Sequence, residues 1–161
     1  MIRPATPRDI PRITAIYAHY VANATATFEI NPPTESEMLE RFVRLTGSGL
    51  PYLVSTVDEA VAGYAYAAPY RPRPAYRFTV EDTIYLAPEA AGRGLGSQLL
   101  GELIAQCQSL GYKQMIAVIG GAAEASCRLH ARLGFHEAGR LANVGYKFDR
   151  WLDTVLMQRA L

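Results

Sequence analysis

A glycine-rich junction limits the possible folds and functions of this chain more than any other segment. Residues 91–97 read AGRGLGS and lie between an apolar, strand-like segment that ends at Leu86 and an amphipathic segment that begins at Gln98. Glycines at alternate positions leave backbone N–H groups open to an anion at the positive end of a helix. The junction therefore predicts a bound phosphate group, against the alternative of a glycine-rich connection without a ligand.

Two common phosphate-binding loops do not fit these residues. A P-loop requires a Gly-Lys-Ser/Thr sequence at its end, and this segment contains no lysine. A dinucleotide-binding loop requires G-x-G-x-x-G in the first strand-to-helix turn of its domain. The spacing here is G-x-G-x-G, and it begins only at Gly92. Neither loop therefore explains the junction.

The composition predicts a single domain that comprises residues 1–161. With 50% hydrophobic residues, the chain can bury one core. Its net charge is +1 and it has no long charged block, which gives no support for binding to nucleic acid or to a membrane surface. Without a signal-peptide or membrane-spanning pattern, we expect a cytoplasmic protein. Cys107 and Cys127 are expected to be reduced thiols, and no metal is expected.

Hydrophobic periodicity predicts a mixed α/β chain. Helix signals include a capping box at residues 34–37 and apolar positions at helical spacing that include Tyr17 and Tyr20. The strand-like segments, besides the one ending at Leu86, are residues 52–57, 61–67, 114–119, 137–144 and 151–158. The predicted order is strand, two helices, three strands, helix, strand, helix and two strands.

The glycine junction resembles motif A of the GCN5-related N-acetyltransferases (GNAT), whose pattern is Arg/Gln-x-x-Gly-x-Gly/Ala. Gly94 and Gly96 occupy the glycine positions, whereas Ala91 replaces the usual Arg or Gln. Residues 70–81, with the sequence YRPRPAYRFTVE, resemble the signature of the phosphinothricin and methionine sulfone/sulfoximine N-acetyltransferase branch. Further segments that match this branch in the right order are residues 26–29, 129–135 and 144–153.

The resemblance implies the GNAT fold, an α/β (α+β) architecture in which a mixed central sheet splays apart between two parallel strands and is flanked by helices. Acetyl-CoA would bind in the resulting V, with its pantetheine arm paired to the exposed backbone of residues 83–86 and 114–119. A β-bulge near residues 84–86 would direct the N–H of Leu86 at the thioester oxygen, where negative charge develops. By resemblance alone, we also expect a homodimer.

The resemblance also assigns two groups of site residues. Those expected to contact acetyl-CoA are Ile84, Tyr85, Leu86, Gly92, Arg93, Gly94, Leu95, Gly96, Ser97 and Ala123, the last in place of the usual Asn. Those expected to line the acceptor pocket are Phe28, Arg71, Pro72, Arg73, Tyr76, Glu81, Asp82 and Thr83. Arginine forks suit the carboxylate and the phosphinate, sulfone or sulfoximine groups of such acceptors.

Acetyl transfer to an amine requires proton transfers at both ends of the reaction. An alkylammonium group titrates at about pH 10, so a base must remove its proton. Glu81, in the strand that leads into the predicted site, is the candidate base, with a solvated or cross-strand-paired carboxylate as the alternative. His130 could donate a proton to the leaving sulfur or hydrogen-bond the cofactor, or could simply be a packing residue. The predicted catalytic groups are therefore Glu81, His130 and the N–H of Leu86.

The favoured function is acetyl transfer from acetyl-CoA to the α-amine of a small amino-acid analogue in a direct ternary complex, since no Cys or Ser has a recognisable nucleophile setting. Two alternatives remain open. The same chemistry on a polyamine, an aminoglycoside or a protein N-terminus is disfavoured by the positive charge of Arg71 and Arg73. A non-catalytic acyl-CoA sensor is favoured mildly by Ala91 and Ala123, whose lost polar contacts predict weaker cofactor binding, and disfavoured by Glu81.

Overall fold

The structure, a computed structural model that describes residues 1–161, contains the predicted elements in the predicted order. The strands are β1 (Ile2–Pro4), β2 (Tyr52–Val57), β3 (Ala60–Pro69), β4 (Thr79–Leu86), β5 (Gln114–Gly120), β6 (His136–Lys147) and β7 (Arg150–Ala160). The α-helices are α1 (Ile10–Asn23), α2 (Glu35–Gly47), α3 (Leu95–Ser109) and α4 (Glu124–Arg132). The last two strands are longer at both ends than the sequence predicted.

All strands form one seven-stranded sheet in the spatial order β1-β2-β3-β4-β5-β7-β6. Every neighbouring pair is antiparallel except β4 and β5, which are parallel. The parallel pairing ends where Glu81 lies opposite Ile116. Beyond this point β4 continues to Leu86 and β5 to Gly120 without pairing to each other. The two strands thus form a V, and the expected mixed sheet that splays between two parallel strands is confirmed.

Helices cover both faces of the sheet. On one face, the rings of Tyr17 and Tyr20 in α1 pack against Tyr85 of β4, with ring centroids 5.1 and 5.0 Å apart. On the other face lies α3, whose apolar side is buried against β2, β3 and β4, with α4 beside it. We call these the α1 face and the α3 face. Because side chains alternate along a strand, successive residues of β4 point to the two faces in turn.

Local signals in the sequence set several of the helix boundaries. The predicted capping box begins α2, where the Glu37 N–H donates to the Thr34 hydroxyl and the Thr34 N–H donates to the Glu37 carboxylate. Gly111 follows α3 with a φ of 87°, a left-handed conformation that glycine adopts without strain. Cys107 and Cys127 are free thiols. None of the helices is long and apolar enough to cross a membrane.

Candidate active site

A cleft of about 710 Å³ opens where β4 and β5 diverge. Tyr20 of α1 and residues 26–28, which follow α1, line it on the α1 face. The glycine junction and α4 line it on the α3 face. Between these walls lie the facing edges of β4 and β5. The cleft therefore passes through the sheet, so two ligands could meet in it from opposite faces.

The edge of β4 presents backbone groups to the cleft in regular alternation. The Ala87 N–H donates a 2.8 Å hydrogen bond to the Ala62 carbonyl of the β3 side. In an antiparallel pair, every second residue bonds to the same neighbour, so the odd-numbered residues of β4 are bonded to β3. Ile84 and Leu86 therefore point their N–H groups towards β5, across the gap of the V.

The expected β-bulge near residues 84–86 is absent, and that prediction is wrong. The register between β3 and β4 is continuous from Pro69 opposite Val80 to Gly63 opposite Leu86. No bulge is needed, because the even position of Leu86 already directs its N–H into the gap. The Leu86 carbonyl accepts a 2.7 Å hydrogen bond from the Tyr20 hydroxyl, which ties this end of β4 to α1.

The glycine junction leaves the start of α3 open to a ligand. Gly92 and Gly94 have φ values of 76° and 77°, a region that other residues enter only with strain. The Gln98 N–H makes the first bond within the helix, to the Gly94 carbonyl, so the N–H groups of the first three helical residues have no partner there. A Cβ at Gly92 or Gly94 would meet no atom within 4 Å. Free N–H groups beside open space fit the pyrophosphate of coenzyme A.

Glu81 lies at the point of the V, on the α1 face. It is half-buried, and its carboxylate makes no hydrogen bond to another protein group. Burial raises the pKa of Glu81, the charge of Arg71 opposes this rise and the charge of Asp82 adds to it. A raised pKa and free lone pairs suit a carboxylate that must take up a proton at neutral pH.

Asp82, the next residue, points to the α3 face and is buried against α4. Its Oδ2 lies 3.0 Å from Nε2 of His130, and both side chains are 2% exposed. Nδ1 of His130 lies 2.7 Å from the Ser126 carbonyl oxygen, which can only accept, so Nδ1 carries a proton. A second proton must lie between Nε2 and Asp82. Burial lowers the pKa of His130, but the hydrogen bond and charge of Asp82 outweigh it and raise the pKa overall.

Most of the predicted site residues line this cleft. Those from the predicted cofactor group are Ile84, Tyr85, Leu86, Gly92, Gly94, Gly96, Ser97 and Ala123. Those from the predicted acceptor group are Phe28, Glu81, Asp82 and Thr83, and the predicted catalytic residue His130 also lines it. Arg93 and Leu95 belong to the junction but do not line the cleft.

The arginine-rich loop between β3 and β4 lies beside the cleft rather than in it. A second cavity of about 320 Å³ is lined by Arg71, Pro72, Arg73, Tyr76 and neighbouring residues of this loop. The charge of Arg71 nevertheless reaches Glu81, since it acts on the pKa of that carboxyl. The structure thus brings the loop next to the point of the V without placing it in the same cavity.

Tyr20 and Ser126 are site residues that the sequence analysis missed. The sequence marked Tyr20, like Tyr17, only as an apolar position at helical spacing, and only the fold shows that its hydroxyl reaches the end of β4. Ser126 lies four residues before His130, a spacing that puts both on one helix face. This i, i+4 spacing is the sequence signal that links Ser126 to the predicted catalytic residue His130.

Comparison with known proteins identifies the family. Residues 13–135 match the sequence profile described as "Acetyltransferase (GNAT) family". The chain belongs to the GNAT family. The resemblance seen in the glycine junction is therefore confirmed, and the V between β4 and β5 is that of a GNAT acetyltransferase.

Individual GNAT relatives support the same branch. A phosphinothricin N-acetyltransferase from Alcaligenes faecalis is 52% identical, over 99% of this chain and 82% of its own length. An L-methionine sulfoximine/L-methionine sulfone acetyltransferase from Pseudomonas aeruginosa is 40% identical, over 98% of this chain and 92% of its own. The crystal structure of a GNAT superfamily phosphinothricin acetyltransferase from Sinorhizobium meliloti in complex with AcCoA has a TM-score of 0.99 at 52% identity, covering 100% of this chain and 88% of that one. This GNAT chain is therefore an N-acetyltransferase.

Proposed function

We propose that the protein transfers the acetyl group of acetyl-CoA directly to the α-amine of a small amino-acid analogue of the phosphinothricin, methionine sulfone or methionine sulfoximine type. The named activities of its relatives support this acceptor class, and the AcCoA complex of one relative supports the donor. The observation that carries the proposal is the half-buried carboxylate of Glu81, free of protein partners, at the point of the V.

Donor and acceptor would approach the gap from opposite faces of the sheet. The free N–H groups at the start of α3 suit the pyrophosphate of acetyl-CoA. The unpaired edges of β4 and β5 suit its pantetheine arm, which can pair with backbone as an added strand does. The Leu86 N–H then faces the thioester oxygen, where negative charge develops. Glu81, Thr83 and Phe28 lie on the α1 side, where the acceptor would enter.

On the acceptor side, Glu81 is proposed to take the proton that the amine must lose. The C–N bond forms as the amine attacks the thioester carbon, and the C–S bond of the thioester then breaks. Glu81, directly or through one water, takes the proton that the ammonium form must lose before the attack. Nitrogen sheds a second proton as the C–S bond breaks, and this balances the proton that the departing sulfur gains. Burial raises the pKa of Glu81, so this carboxylate binds the proton more tightly at neutral pH than a solvated carboxylate would.

On the leaving-group side, the departing thiolate needs a proton or a compensating positive charge. His130 cannot give up its Nε2 proton to sulfur without losing its contact with Asp82. The pair as a whole holds one shared proton in a buried position on the α3 face, beside the proposed path of the thiol arm. We therefore propose that the Asp82–His130 pair acts as a unit: its shared proton goes to the sulfur as the C–S bond breaks, while Glu81 takes the proton of the amine.

A covalent acetyl-enzyme is not proposed, although Ser126, His130 and Asp82 stand in the order of a serine triad. Ser126 Oγ lies 3.4 Å from Nδ1 of His130. The same Nδ1 donates to the Ser126 carbonyl at 2.7 Å, so it has no lone pair with which to take the serine proton. Burial raises the pKa of the Cys107 thiol to about 12, and Cys127 does not line the cleft. These observations support direct transfer.

Replacing Glu81 by Gln tests the proposed base. We expect Glu81→Gln to lower kcat by about a hundredfold, because the amine then lacks a proton acceptor of comparable strength. Binding of acetyl-CoA, measured by titration calorimetry, should stay unchanged, because Glu81 lies on the acceptor side. Glu40→Gln, the same change at an exposed position of α2, is the matched control.

An unchanged kcat in Glu81→Gln would exclude Glu81 as the base. The acceptor class is tested separately, by comparing kcat/KM for methionine sulfone, methionine sulfoximine and phosphinothricin with that for spermidine and for peptide N-termini. Faster turnover of the polyamine or the peptides would overturn the proposed acceptor while leaving the acetyl-transfer chemistry in place.

A further inference from the structure

The segment between α1 and α2 supplies part of the acceptor wall but has no regular secondary structure of its own. Residues 26–28 line the cleft on the α1 face, and the ring of Phe28 is the largest side chain among them. No helix or strand ladder holds this backbone, so its position depends on side chains from other elements. One of these contacts stands out for its chemistry, and it comes from the end of β6.

The ammonium group of Lys147 holds this segment by its backbone. Its Nζ donates 2.9 Å hydrogen bonds to the carbonyls of Ala24 and Thr27. Lys147 is only 4% exposed, and no carboxylate lies within ion-pairing distance of it. Burial lowers the pKa of Lys147, which reflects the cost of a charge in this environment. Its two direct hydrogen bonds thus both go to the segment that carries Phe28.

The strand that carries Lys147, β6, also contacts the ring of Phe28. A Cβ added to Gly145 would lie 2.3 Å from Cε2 of that ring, and one added to Gly120 of β5 would lie 3.1 Å from Cε1. Gly145 is two residues before Lys147 and so lies on the same face of β6. One face of β6 therefore makes room for the ring and fixes the backbone that carries it.

We infer that Lys147 is a positioning residue for acceptor specificity, which holds the ring of Phe28 in the acceptor wall by bonding the carbonyls of Ala24 and Thr27. The inference rests on the proposed function, because it takes the α1 side of the cleft as the acceptor side. Lys147 does not itself line the cleft, so it acts on the acceptor only through Phe28. The ring in turn sets how long an amino-acid side chain the wall accepts.

The test compares Lys147→Met with Lys113→Met, the same change at the other lysine of the chain, which is exposed. With methionine sulfone as acceptor, Lys147→Met should raise the acceptor KM by about tenfold, as the loss of one to two hydrogen bonds implies. The KM for acetyl-CoA should change less than about twofold on the same scale. Acceptors with longer side chains should gain relative to methionine sulfone. Lys113→Met should match the wild type.

A double-mutant cycle separates positioning from general stability. If Lys147 acts through Phe28, Lys147→Met should have little further effect on acceptor KM in a Phe28→Ala background, whereas an independent effect would add in full. Gly145→Ala leaves Lys147 intact but collides with the ring, so it should reproduce the rise in acceptor KM. If Lys147→Met does not fold, Lys147→Gln, which keeps an N–H donor but loses the charge, replaces it as the deciding variant.

Three results would overturn the inference: an unchanged acceptor KM in folded Lys147→Met, an unchanged acceptor KM in Gly145→Ala, or full additivity in the cycle. Failure of the proposed function is a different result, seen in the wild type as preferred turnover of another class of amine. In that case the same variants are measured with the preferred amine, and the same three results decide the role of Lys147.

Discussion

Asp82 shows how one residue can change the chemistry of a strand. It follows Glu81 directly, and the alternation of side chains along β4 sends the two carboxylates to opposite faces of the sheet. Glu81 stays without a protein partner on the α1 face, whereas Asp82 is buried against His130. Among the buried side-chain nitrogen and oxygen atoms, Oδ1 of Asp82 is the one without a hydrogen-bond partner. An unsatisfied buried oxygen destabilises the fold, so its presence beside the cleft supports a functional role for the pair.

Asp82→Asn separates the shared proton from the contact that positions His130. An asparagine N–H can donate to Nε2 of neutral His130, so the ring keeps its place while the second proton is lost. We expect kcat, measured at a pH where Glu81 is fully ionised, to fall by about tenfold or more. The affinity for acetyl-CoA should not change. Asp82→Ala should also lower the free energy of unfolding by about 1–3 kcal/mol, because Nε2 is left unpaired. If Asp82→Asn kept the kcat of the wild type, Asp82 would have only a structural role.

Among the elements, those with a periodic sequence could be predicted, because burying one face imposes the period of the helix or strand on the residues. The glycine junction and the position of Glu81 in the cleft could also be predicted, since each belongs to a local motif. The partner of Asp82 could not, because His130 lies 48 residues further on. The contact of Lys147 with the Ala24 carbonyl spans 123 residues. The alternation of side chains along a strand does follow from the sequence, and it predicts that Glu81 and Asp82 point to opposite faces of the sheet.

The loop between β3 and β4 is predicted to control the pH dependence of the reaction. A base must be ionised, so kcat/KM should rise with pH through the pKa of Glu81. The charge of Arg71 lowers this pKa, so Arg71→Ala should raise it and move the acid limb to higher pH. Arg73→Ala, in the same loop, is the control. If the kcat/KM–pH profiles of Arg71→Ala and Arg73→Ala shifted equally, or if neither shifted, this account of Glu81 would be contradicted.

Considered as a whole, the chain closes one edge of its sheet with β1, a strand of three residues that pairs only with β2. Arg3 ties this strand to the start of α1 through two 2.8 Å hydrogen bonds to the Asp9 carboxylate. The Thr6 N–H donates a third bond, of 2.7 Å, to the same carboxylate. Asp9 is buried and the side chain of Arg3 is 36% exposed, so these bonds join the edge of the sheet to the helix layer where solvent screens them only in part.

The Asp9 carboxylate should therefore govern the acid stability of the domain. Its hydrogen bond with Arg3 lowers the pKa of Asp9 from 3.8 to about 2, against the opposing effect of burial and with further help from Thr6. Because the pKa is lower in the folded state, the stabilisation is complete above about pH 4 and is lost as the pH falls through about 2. Asp9→Asn should lower the free energy of unfolding at pH 7 by about 2 kcal/mol and flatten its fall between these pH values. Urea unfolding at pH 7 and at pH 3 measures both effects, with Asp149→Asn, in an exposed turn, as the matched control. Equal stability of Asp9→Asn and the wild type at pH 7 would show that β1 contributes nothing through this pair.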